Sequence, residues 1–75
     1  MKEINYTPKS RPVPAYKIRV GQIVMESNDH PARVTRISAI HGELRIYSRY
    51  VWQTSKEPDW LFGKFDPWDD IERAR

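Results

Sequence analysis

The chain contains no cysteine, which excludes a disulfide framework and thiolate zinc sites. It also lacks any apolar run near the roughly 18 residues that a membrane-spanning helix needs, and its opening, MKEINYTPKSRPVPAYK, has no apolar middle of the kind that marks a signal peptide. No internal repeat, low-complexity tract or linker interrupts the sequence. These absences predict a soluble, untargeted protein without a membrane partner. The cytoplasm is its default compartment, because nothing demands an oxidising one. The apolar share is low as well, at 39%, and a chain of 75 residues makes one domain near the lower size limit for folding without a staple. Three Trp, four Tyr and two Phe concentrate the burial, since each can hide roughly 150–250 Å². The expected core is therefore aromatic.

What is present is a β grammar. Val20 to Trp52 reads as three short strands parted by two turn signals, Ser27-Asn28-Asp29-His30 and His41-Gly42, whose residues tolerate positive φ or cap a turn with their own side chains. Gly21 predicts a bend in the first run, and the step from Val34 to Ile37 breaks strict alternation as a bulge does. In the third run Leu44, Ile46, Ser48, Tyr50 and Trp52 are expected on one face, with Arg45, Tyr47, Arg49 and Val51 on the other. After a loop bearing Pro58, a fourth strand is expected over Trp60 to Phe65, with Trp52 and Trp60 meeting as a mostly buried pair.

The ends read differently. Pro8, Pro12 and Pro14 fix φ and remove donors, so residues 1–15 are expected to be an extended or disordered arm. Residues 16–75 then form the folded domain, a small antiparallel SH3-like β-barrel. Asp66-Pro67-Trp68-Asp69-Asp70 offers a cap, a proline at the first helical position and acids in the first turn. That pattern predicts a C-terminal helical turn with Trp68 and Ile71 buried on one side. Residues 71–75 fit either period and are left open between helix and strand.

Charge is unevenly placed. Lys9 to Arg49 holds eight basic residues against Glu26, Asp29 and Glu43, whereas Tyr50 to Arg75 holds four against six acids. Arg33, Arg36, Arg45, Tyr47 and Arg49 fall on the outward positions of neighbouring strands. Arginine holds phosphate bidentately and stacks on bases, and an aromatic among arginines on a sheet face is how small barrels bind single strands. Those five residues are the candidate site, and RNA or single-stranded DNA is the candidate partner. The plain alternative is a solvated face whose arginine stems cover apolar edges. A different reading of the same chain is a protein-interaction module. Seven of the nine aromatics lie between Tyr47 and Trp68, more than so small a barrel buries, and exposed Trp and Tyr anchor interfaces.

Catalysis is not expected. Ser27, Asp29 and His30 are the residue types of a hydrolytic triad, but within four positions of one turn they cannot reach one another in the required order. His30, His41, Asp29 and Glu43 could be gathered at two hairpin tips into a zinc or manganese site, yet their spacing has no ligand grammar. Neither a metal nor another cofactor is predicted.

Val20-Gly21-Gln22-Ile23-Val24 followed by His30-Pro31-Ala32-Arg33-Val34 resembles the opening of the translation-protein SH3-like (KOW-like) barrel, as in the N-terminal domains of elongation factor P and initiation factor five-A. The resemblance covers about half of the chain and implies a small barrel. In those factors a basic residue at the next hairpin tip reaches the ribosome. Here the tip is Ser38-Ala39-Ile40-His41-Gly42-Glu43, with no basic residue except His41, so the translation role does not carry over. Tyr50-Val51-Trp52-Gln53 and Phe65-Asp66-Pro67-Trp68-Asp69-Asp70 also look like small proteins of actinobacterial or phage genomes, which implies an accessory protein.

Overall fold

The computed structural model describes residues 10–26 and 30–74. Residues 1–9, most of the expected arm, and Ser27 to Asp29, most of the first turn signal, lie outside the described residues. Six strands form one antiparallel sheet: β1 (Ser10–Pro14), β2 (Ile23–Met25), β3 (Pro31–Ile40), β4 (Glu43–Tyr50), β5 (Trp60–Phe65) and β6 (Asp70–Ala74). A single 3₁₀ turn, Ala15–Lys17, follows β1. The strand order is β1-β6-β2-β3-β4-β5, so the two ends of the described chain pair with each other, Ser10 opposite Ala74 and Pro14 opposite Asp70. The fold is mostly β and antiparallel, as the alternation predicts. It is not a closed barrel, because β1 and β5 are the two edges of the sheet and do not pair with each other.

Local chemistry sets these elements. His41 and Gly42 both take positive φ, 52° and 78°, and Ile40 pairs with Glu43 across them, which makes the two-residue primed turn that a right-twisted hairpin prefers. Between Val34 and Arg36 the β3–β4 register shifts, so Thr35 is an extra residue on β3 and the expected bulge is present. Gly21, at φ 95°, lies in a turn ahead of β2. Its N–H donates to the Val34 carbonyl at 2.8 Å, and the Val34 N–H returns to the Gln22 carbonyl at 2.9 Å.

Prolines fit β1 because it is an edge. The Ala15 N–H donates to the Asp69 carbonyl, 2.8 Å away, on the β6 side. Backbone donors alternate along a strand, so Arg11 and Val13 face β6 as Ala15 does, while the donors that Pro12 and Pro14 lack belong to the outer rim.

Val13, Ala15, Ile18, Val24, Ala32, Val34, Ile46 and Ile71 make one buried cluster, drawn from both ends and the middle of the sheet, which must therefore curl over its own apolar face. This core is aliphatic, not aromatic. Tyr50, Phe62 and Phe65 only pack against its margin, because the centre of a tightly curled sheet accommodates Ala32 and Ser48 but not rings. The C-terminal helical turn is also absent. Asp66 to Asp69 form a β-turn in which the Asp69 N–H donates to the Asp66 carbonyl at 3.0 Å and the Asp69 carboxylate accepts from the Asp66 N–H at 2.8 Å. Asp70–Ala74 then enters the sheet, where pairing to β1 gives every residue a cross-strand partner that five residues of isolated helix could not supply. Trp68 is left 75% exposed with its ring edge-on to Tyr16, centroids 4.9 Å apart.

Candidate functional site

The five predicted site residues share the outer face of β3 and β4. Arg33 stands opposite Arg49, Arg36 opposite Tyr47, and Ser38 opposite Arg45. The intervening pairs, Ala32 with Tyr50, Val34 with Ser48 and Ile37 with Ile46, turn toward the core. The bulge at Thr35 keeps Arg36 outward although it is an odd number of positions from Arg33. β5 extends the face with two residues that sequence reasoning missed, Lys64 beside Arg45 and Leu61 beside Tyr47. The β4–β5 register shifts between Ile46 and Tyr47, so simple alternation in WLFGKF could not assign these two to one face.

The arginines are not equivalent. Arg36 spreads its guanidinium over the Tyr47 ring, 3.8 Å from the centroid, and forks onto the Asp59 carboxylate, Nε and Nη2 both at 3.4 Å. Asp59 also accepts the Thr35 hydroxyl at 2.6 Å. That hydrogen bond, and then the guanidiniums of Arg36 and Arg49, hold its carboxyl below the usual value of 3.8 against a smaller opposing effect of desolvation. Arg45 pairs with Glu43 at 3.2 Å. Arg33 and Arg49 instead donate to backbone carbonyls, of Gly21 at 3.1 Å and of Glu57 at 2.8 Å, and neither has a carboxylate within 4 Å among the described residues. A concavity of about 190 Å³ lies between them and the turn that carries Val51, Gln53 and Ser55.

The aromatic residues gather at that end of the hairpin. β4 stops at Tyr50, and Val51 and Trp52 belong to a turn in which the Gln53 side-chain oxygen accepts the Tyr50 N–H at 2.9 Å. Tyr50 is the shared partner. Trp52 stacks on it at 4.6 Å and 17°, and Trp60 tilts against it at 4.5 Å. The expected buried pair of Trp52 with Trp60 is therefore replaced by two contacts to Tyr50, and Trp52 is 59% exposed. The Tyr50 hydroxyl donates to the Glu26 carboxylate at 3.1 Å. Its ionisation is pushed above the usual 10.0, first by desolvation and then by that carboxylate.

His30 and His41 flank β3 at its two ends, roughly 35 Å apart at the usual rise per residue, so the imidazoles are not gathered at one site. Asp29 lies outside the described residues. Comparison with protein-family models, with curated proteins and with solved structures finds no match, so none of them confirms the resemblance to the SH3-like barrel of translation factors.

Proposed function

We propose that the protein is a non-enzymatic binding module that holds single-stranded nucleic acid, RNA or DNA, on the outer face of β3 and β4. The observation that carries this reading is the Arg33–Arg49 pair. Two arginines in register on neighbouring strands put like charges side by side. Their guanidiniums bond to the backbone carbonyls of Gly21 and Glu57 and make no ion pair among the described residues, so a phosphate in the concavity that both line is the counter-charge this reading supplies. Arg36, Arg45 and Lys64 continue the positive track, with Tyr47 among them as the aromatic of that face.

Anisotropy titration against short mixed-sequence single strands tests it. Affinity should fall steeply with salt, and Arg33→Ala/Arg49→Ala should lower the log–log salt slope by about 1.4, roughly 0.7 for each phosphate contact. Arg36→Ala/Arg45→Ala should change it less, since those side chains are already paired. Absence of low-salt binding at micromolar protein sinks the reading.

A second reading, a protein-docking module, draws on Trp52 and Trp68, whose exposure is unusual for the residue type. A partner retained from nuclease-treated lysate regardless of the arginine substitutions would favour it.

A further inference from the structure

A second basic site lies away from the β3–β4 face, at the rim of the sheet where β1, β6 and β2 meet. Arg73 of β6 has two cross-strand neighbours, Arg11 on β1 and Val24 on β2. It shares the inward set of positions with Ile71 and Val13, which pair with each other one step further in. Beside it runs the segment from the 3₁₀ turn into β2, bringing Lys17, Arg19 and Gln22. Together with Pro12, Val13 and Pro14 these residues line a cleft of about 460 Å³, within the size range of small-ligand sites, about 300–1,000 Å³.

Among the described residues four cations and no acid line it. Arg11 and Arg73 oppose each other directly, an arrangement that costs stability when nothing lies between like charges. Glu72, the nearest acid in sequence, belongs to the opposite face, where it accepts the Ser10 hydroxyl at 3.0 Å. The Arg73 Nε is buried and has no hydrogen-bond partner among the described residues, a deficit that an ordered water or a bound group makes good. Arg19 is held in place by donating to the carbonyls of Tyr16 at 2.8 Å and Ile18 at 3.1 Å. Arg11 and Lys17 are exposed and make no ion pair among the described residues.

We infer that this cleft is a binding site for a phosphoryl group carrying at least two negative charges, held by Arg11, Lys17, Arg19 and Arg73. A phosphate monoester or a pyrophosphate matches the fork geometry of guanidinium, and a diester, with one charge, neutralises too little of the cluster. The group can come from a free phosphorylated small molecule or from the phosphorylated end of a strand.

The test is a backbone-amide NMR titration of the full chain with inorganic pyrophosphate, and with a short oligothymidylate with and without a 5′-phosphate. Saturable shifts centred on Arg11, Lys17, Gln22 and Arg73 are expected with pyrophosphate. Arg11→Gln/Lys17→Gln should weaken binding at least about tenfold, the equivalent of some 1.4 kcal/mol, while melting within a few degrees of the parent. Arg33→Ala/Arg49→Ala should leave it unchanged, so the outcome is separable from that for the β3–β4 face. Cleft shifts with the 5′-phosphorylated strand that its unphosphorylated counterpart does not cause would also support the site and assign its source to strand ends. No saturable shift with either phosphorylated probe overturns it. So do equal shifts from the unphosphorylated strand, or binding that survives the double substitution.

Discussion

The Phe65 ring lies over the α-carbon of Gly63, two positions back on β5. A Cβ at residue 63 would meet the ring's Cζ at 2.6 Å and Cε2 at 2.8 Å. Gly63 pairs with Ile46, one of the core residues, so the bare backbone there lets an aromatic ring fold over the core margin and reach Phe62 at 5.9 Å. Gly63→Ala should therefore destabilise the protein by about 1–3 kcal/mol through overpacking, although alanine is otherwise harmless in a strand. Gly63→Ala/Phe65→Leu should recover part of the loss. Chemical denaturation of both variants measures this, and an unchanged midpoint for Gly63→Ala would show that the ring moves aside freely.

Ser48 is fully buried, and its hydroxyl has no partner among the described residues. Its cross-strand neighbours, Val34 and Trp60, offer no side-chain acceptor. Ser48→Ala removes an unsatisfied polar group at almost no cost in volume and should stabilise by about 1 kcal/mol, or roughly 4–8 °C in Tm for a domain of this size. A thermal melt that shows a loss instead would mean that the hydroxyl finds an acceptor.

Asp59, in the loop just before β5, is tied to the bulge on β3 through Thr35 and Arg36. Its folded-state ionisation lies below 3.8, so the unfolded chain takes up the proton first as pH falls. The stabilisation is present in full above that value and is lost as pH drops through the folded one. The Tm difference between parent and Asp59→Asn should be constant near neutrality and shrink below about pH 4. A difference that persists at the lowest pH at which the protein folds would place the coupling elsewhere.

Trp68 contributes little to packing. With most of its surface in water and one edge contact to Tyr16, Trp68→Ala should cost no more than about 1.5 kcal/mol, the scale of a single aromatic pair. Iodide should quench its fluorescence efficiently. A loss of about 3 kcal/mol or more would return Trp68 to the core.

The contrast between Trp68 and Ile46 shows which parts of the architecture were legible in the sequence. Alternation in β4 is read against a residue's immediate neighbours, so the inward set through Ile46 and Ser48 and the outward set through Arg45, Tyr47 and Arg49 were both accessible, as was the turn at His41-Gly42. Pairing between the chain's ends leaves no local trace. Prolines in SRPVP argue against a central strand but permit an edge, and the same Asp-Pro start that opens a helix also opens a β-turn. Trp68 went astray for that reason. The core went astray because composition counts rings but does not reveal how tightly the sheet curls. Of the basic residues, those on β3 and β4 were accessible to sequence. Lys64 was hidden by a register shift, and Arg11 and Arg73 by a strand pair that spans the chain.

An open sheet has two rims, and each is a template on which a neighbouring molecule could continue the ladder, rung by rung, into a fibre. Pro12 and Pro14 strip two of the donors from the rim of β1, so a docking strand meets carbonyls without their complements. The other rim, β5, is kinked by its bulge and carries Lys64, whose charge would face its own image in a stacked copy. Both rims are thus poor templates for a stacked copy.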